Sequence, residues 1–234
     1  MPVKDRDLRI APKVKWPKDE IAFLELQRCS TSLCEHWTAL DWERNRNGKV
    51  GSPEWNTAVR IFADRVSGRF LIPIDVLLHN ERSETVGFAI MALECLLIET
   101  LMQFEKGVSE TPQSKIISSA KQYFKEFLTK PTLGFTGPQA ECFYETVRCG
   151  ILHQAETKMG TLIKRTKEGL KVEWQGPKRE RDPSQDSIVI YRDEFHQGMI
   201  AYLMDYVEKV SSGADNNLLA GFMRKMDFIS QYHD

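Results

Sequence analysis

Between Val86 and Phe104 nineteen consecutive residues carry only two charges, Glu94 and Glu99. A run of that length and polarity either crosses a membrane or forms the middle of a core. Two carboxylates are costly in lipid, so the run predicts a buried helix over roughly 84–105, apolar nearly all round and packed among other helices. Either glutamate, once buried, needs a cation or a hydrogen-bond donor beside it. Arg148 is the first candidate for that partner.

At 234 residues the chain lies near the upper size of a single domain. One domain over 1–234 is expected, with 1–80 as an N-terminal helical extension and 81–234 as the main bundle. A formal net charge of −1 gives no global pull toward polyanions, so any nucleic-acid site must be a local patch. Five cysteines are an odd number, and the opening MPVKDRDLRIAPKVK has no apolar signal segment. Both point to a soluble, cytoplasmic protein with reduced thiols and no membrane span.

Apolar residues at Ala22, Leu26, Cys29, Leu33, Trp37 and Leu40 recur at helical spacing. Ser52-Pro53-Glu54 supplies a cap, a first-turn proline and an acid for a second helix, with Trp55, Val59, Phe62 and Val66 inside. Phe70 to Leu78 reads only as a short apolar stretch. After the central helix, Ile116 to Leu128 forms another amphipathic segment, and Thr136 with Gln139 matches a capping box that opens the next. Beyond Gly160 the period changes, and Leu162-Ile163 with Leu170, Val172 and Trp174 flank Lys167-Glu168-Gly169 as a β-hairpin would. The β insert is placed at about 160–191, with Ser187 to Tyr191 as a short strand. Asp193 to about Val210 and Asn217 to Ser230 complete an all-α bundle with a small β-hairpin insert.

The helix opening at Thr136 carries Arg148 and His153. On an ideal wheel Ala140, Phe143, Val147 and Ile151 form one side, with Cys142, Glu145, Cys149, His153 and Glu156 opposite. Arg148 and His153 are then roughly 140° apart, so one straight helix does not aim both at one phosphate without a bend or a partner chain; Gly150 permits some local adjustment. Imidazole is suited to moving protons near neutral pH, and guanidinium to binding phosphate oxygens. Together they form a metal-free kit for RNA cleavage by the 2′-hydroxyl.

The stretch Phe143-Tyr144-Glu145-Thr146-Val147-Arg148-Cys149-Gly150-Ile151-Leu152-His153 resembles the motif helix of the HEPN superfamily, whose signature is Arg, four to six residues, His. The apolar helix Phe88 to Glu99 is similar in texture to a HEPN core helix. The resemblance spans about 84–155 and, more weakly, the helices after 193. It implies a compact helical bundle, metal-independent endoribonuclease activity, no cofactor, and a homodimer in which two motifs face each other. It also implies a toxin or antiviral setting, with an antitoxin or regulatory protein as partner. Arg148 and His153 are the implied catalytic pair, with Glu145, Cys149, Glu94 and Glu99 lining the site. Cys149 stands where family members often carry asparagine.

Segment 158–181 holds eight cations against three acids, net +5. Lys158, Lys164, Arg165, Lys167 and Lys171 are its candidate RNA contacts. Cys142, Cys149 and His153, or Cys29, Cys34 and His36, lack paired C-x2-C spacing, and no metal site is expected. No Walker, HExxH, G-x-S-x-G or dinucleotide motif occurs. The alternative to a ribonuclease is a non-catalytic interaction module of the same architecture, in which Arg148 and His153 are structural.

Overall fold

The computed structural model describes residues 9–13, 36–79, 83–111, 119–175 and 187–230. Within them the chain is mostly helical, with a three-stranded sheet and a two-stranded β pair. Strands β1 (Arg9–Pro12) and β2 (His36–Thr38) precede helices α1 (Ala39–Asn45) and α2 (Pro53–Val66). A π-turn (Ser67–Leu71) leads into α3 (Ile72–Leu78), and a 3-10 turn (Ser83–Val86) into the long α4 (Gly87–Lys106). There follow α5 (Ser119–Leu128), α6 (Gly137–Phe143), a second π-turn (Tyr144–Arg148) and α7 (Cys149–Gln154). Strands β3 (Leu162–Lys164), β4 (Val172–Trp174) and β5 (Ile188–Tyr191) lead to α8 (Arg192–Ser212) and α9 (Asn216–Ser230).

Two compact units are formed, neither continuous in sequence. The first is Met1–Val76, Gln103–Glu110 and Leu203–Asp234; the second is Leu77–Met102 and Thr111–Tyr202. In the first, α2 begins as its sequence dictates: the Ser52 side chain accepts from the Trp55 amide and Pro53 occupies the first turn. Its buried face includes Trp55, Val59, Phe62 and Val66. Phe222 of α9 packs edge-on against Trp42, Trp55 and Phe62, at 5.6, 5.8 and 5.7 Å between ring centroids, and stacks with Phe104 at 6.4 Å. Gly221 lets this happen, because a Cβ there would lie 2.5 Å from the Glu105 carbonyl oxygen. Trp42 Nε1 and Arg46 Nη2 both donate to Asp227, each at 2.7 Å.

The expected helix running through Trp37 and Leu40 is interrupted. Trp37 lies in β2, antiparallel to β1, and Thr38 starts α1 through reciprocal bonds with Asp41. This capping box satisfies orphan helix donors where a continued periodicity would not. Ala22, Leu26, Cys29 and Leu33 lie outside the described residues. The stretch read only as apolar, Phe70 to Leu78, is helical throughout, with π geometry to Leu71 and α from Ile72.

In the second unit Ile90, Met91, Leu97 and Ile98 of α4 are buried completely. Phe88 and Leu96 are 44% and 46% exposed, so one stripe of this apolar helix remains uncovered. Phe143 stacks on Phe195 at 5.5 Å and 7°, with Phe135 edge-on at 5.8 Å. Burying rings of this size stabilises a core by about 1.5–3 kcal/mol each.

The sheet corrects the hairpin expectation. Strands β3 and β4 do not pair with each other; both pair with β5, which is central, parallel to β3 and antiparallel to β4. All four residues of β5, Ile-Val-Ile-Tyr, are buried, whereas β3 is mostly exposed. The most apolar, β-branched strand takes the two-sided position, and the amphipathic ones take the edges.

Candidate active site

The capping box at Thr136 forms as its spacing requires, with Gln139 Oε1 accepting from the Thr136 amide at 2.9 Å. The motif helix is nevertheless not one regular helix. A π-turn over Tyr144–Arg148 separates α6 from α7, closed by the Cys149 amide donating to the Tyr144 carbonyl. The Thr146 carbonyl instead accepts from the Lys158 amide at 2.9 Å. The Thr161 hydroxyl adds a bond to Thr146 Oγ1 at 3.0 Å. After α7 the chain turns at Ala155, left-handed with φ 57°, and folds back over Gly150.

Gly150 therefore serves close approach more than helix bending. A Cβ there would lie 2.4 Å from the Glu156 carbonyl oxygen, a backbone atom that cannot rotate away. Gly150→Ala should destabilise the protein by about 1–3 kcal/mol, the cost of overpacking, even though alanine favours a helix. Urea unfolding of the two proteins checks this; an unchanged or higher midpoint would refute the close-approach account.

Arg148 turns in toward α4. Its Nη2 donates to Glu99 Oε1 at 2.8 Å, its guanidinium lies 5.5 Å from the Tyr144 ring centroid, and both side chains of the ion pair are about one-fifth exposed. Burial works against the Arg148 charge, but the Glu99 hydrogen bond and carboxylate act the other way and carry its pKa above the ordinary value. The guanidinium is thus fixed and charged, with its buried Nε making no hydrogen bond. His153, in the last turn of α7, is exposed and makes no hydrogen bond or ion pair among the described residues. Because the backbone from Arg148 onward is α-helical, the two side chains remain roughly 140° apart. The structure does not bring them together within one chain.

Of the other candidates, Glu145 is exposed and bound by Lys121 at 2.7 Å. Cys149 is half-buried, and Cys142 is buried beside Thr146, not exposed with His153 on the outer face. Nearby Cys95 is a buried thiol pushed well above its usual pKa by burial and then by Glu94. Glu94 does not reach Arg148 by hydrogen bond. Its Oε1 lies 2.6 Å from His196 Nδ1 of α8, both side chains fully buried, leaving Glu94 Oε2 and His196 Nε2 without hydrogen bonds.

His196 is the residue sequence reasoning missed. The signal available was the chemical demand of a buried glutamate, which does not choose among the chain's five histidines.

Among the candidate RNA contacts, Lys164 and Arg165 are exposed and Lys158 is half-buried. Lys167 is engaged by Glu173 at 2.6 Å, and the same carboxylate accepts from the Tyr191 hydroxyl. Lys171 lies along Gly198, where a Cβ would meet its Cε at 2.7 Å. Lys178, Arg179 and Arg181 lie outside the described residues. No group of three His, Cys, Asp or Glu side chains placed to hold a metal occurs among the described residues. A shallow groove of about 380 Å³ in the first unit, lined by Asn56, Val59, Arg60, Ala63, Val207 and Ser211, contains none of the candidates. Compared with family models, curated proteins and solved structures, the chain matches none of them.

Proposed function

We propose that the chain is a HEPN-type, metal-independent endoribonuclease, cytoplasmic, acting as a symmetric homodimer in a toxin or antiviral role. The observation that carries this reading is the contrast within one motif. Arg148 is held charged by Glu99 at 2.8 Å, while His153, five residues on, is exposed and makes no hydrogen bond or ion pair among the described residues. A fixed cation suits a phosphate and its developing charge, and a solvent-facing imidazole suits proton transfer. Two motifs meeting across a two-fold axis would set the His153 of each chain against the Arg148 of the other. The exposed apolar side chains Phe88, Leu96 and Leu152 offer area for such an interface.

The pairing of Arg148 with an acid also favours the second reading, a non-catalytic interaction module. Product analysis separates the two. Purified protein in excess EDTA should cleave RNA, leave 2′,3′-cyclic phosphate ends and spare DNA of the same sequence, since DNA lacks the attacking hydroxyl. No cleavage of any RNA offered counts for the interaction module, and cleavage abolished by EDTA counts against this metal-independent mechanism.

A further inference from the structure

Strand β3 is at an edge of its sheet, paired with β5 on one side and, among the described residues, with no strand on the other. Such an edge leaves backbone donors and acceptors available to a further strand. Its side chains alternate. Ile163 is half-buried against Gly87, while Leu162 and Lys164 face solvent. Just before the strand, Met159 sits in a left-handed turn and is 52% exposed; just after it, Arg165 is exposed. One edge thus presents two apolar side chains, Met159 and Leu162, followed by two cations, Lys164 and Arg165, that make no ion pair among the described residues.

We propose that this edge docks an extended acidic segment of a protein partner, which joins the sheet beside β3. An apolar residue of the partner covers Leu162, and its carboxylates meet Lys164 and Arg165. Charge selects this occupant. A second copy of the same edge would crowd the cations of both chains onto one short ladder, which repels. A nucleic acid would engage the two cations but leave Met159 and Leu162 in water and the edge amides unpaired. If Lys164 and Arg165 also contact RNA, the bound segment competes with substrate; that clause alone rests on the ribonuclease reading.

The test measures fluorescence polarisation of labelled probes on the full chain. The probes are an octapeptide of two Val-Thr-Glu-Glu repeats, which sets valine against Leu162 and glutamates against Lys164 and Arg165, its counterpart with lysine for glutamate, and a single-stranded RNA octamer. The acidic peptide is expected to saturate, and Lys164→Glu with Arg165→Glu to weaken it at least ~10-fold while strengthening the basic peptide. N-methylating every second amide of the acidic peptide should abolish binding in one frame and spare it in the other, because only one set faces β3. Hydrogen exchange at 162–164 should slow on binding. Saturation by RNA alone, or equal binding of peptides methylated in either frame, overturns the proposal. Peptide binding that persists in His153→Ala, whether or not the chain cuts RNA, keeps this result separate from the ribonuclease reading.

Discussion

His153→Ala is expected to cut RNA ~100- to 10,000-fold more slowly than the wild type, the usual worth of general acid–base help. RNA binding should change little, because the imidazole is exposed and makes no hydrogen bond or ion pair among the described residues. Arg148→Lys should lose most of the rate as well. Lysine keeps the charge but not the planar fork, and Arg148 spends one of its nitrogens on Glu99, so a single point charge must choose between acid and phosphate. Both variants should also reveal how the site is assembled. If the His153 of one chain serves the Arg148 of its partner, mixing the two inactive proteins restores a fraction of the activity through mixed dimers with one intact site. Initial rates on a labelled RNA, for each variant alone and for the mixture, decide the matter. His153→Ala that cuts as fast as wild type ends the ribonuclease reading, and a mixture no better than its parts removes the shared site.

The largest loss of stability should come from separating Glu94 and His196. Both side chains are fully buried and 2.6 Å apart, so removing one leaves the other in the core with no hydrogen-bond partner. Breaking buried pairs of this kind costs about 3–5 kcal/mol, a large share of the roughly 5–15 kcal/mol that holds an ordinary domain together. His196→Leu and Glu94→Leu should each lower the urea midpoint sharply. The double replacement Glu94→Leu with His196→Leu should recover much of the loss, because a packed apolar pair often equals or exceeds a buried ionic one. Losses in the two single variants that simply add in the double would show that the pair is not coupled.

Local rules with a clear physical cause were legible in the sequence. Ser52-Pro53 and Thr136 with Gln139 cap helices as read, and Ala140, Phe143, Val147 and Ile151 are all buried. The carboxylates of the apolar helix did need partners, and Glu99 found Arg148. What stayed hidden depends on tertiary context. Nothing local marks Glu94 for His196, 102 residues away. The π-turn at Tyr144–Arg148 leaves the hydrophobic period nearly intact, and it accompanies a strap, distant in the pattern, that returns over Gly150 to bind Thr146. The pairing of β3 and β4 with β5 instead of with each other follows from which strand is most apolar, a comparison that a two-strand hairpin pattern around Lys167-Glu168-Gly169 does not make.

Phe222, the ring around which Trp42, Trp55, Phe62 and Phe104 gather, has a consequence for the order of synthesis. The unit that holds it needs residues from before position 77 and from after position 202, while the other unit draws nothing beyond Tyr202. A ribosome adds residues at about 5–20 per second. The last of the four waiting rings, Phe104, therefore spends roughly 6–24 s, the time of synthesis from Phe104 to Phe222, without the partner that covers it, and the other three wait longer. While that interval lasts, rings that the finished fold buries are open to chaperones and to neighbouring chains.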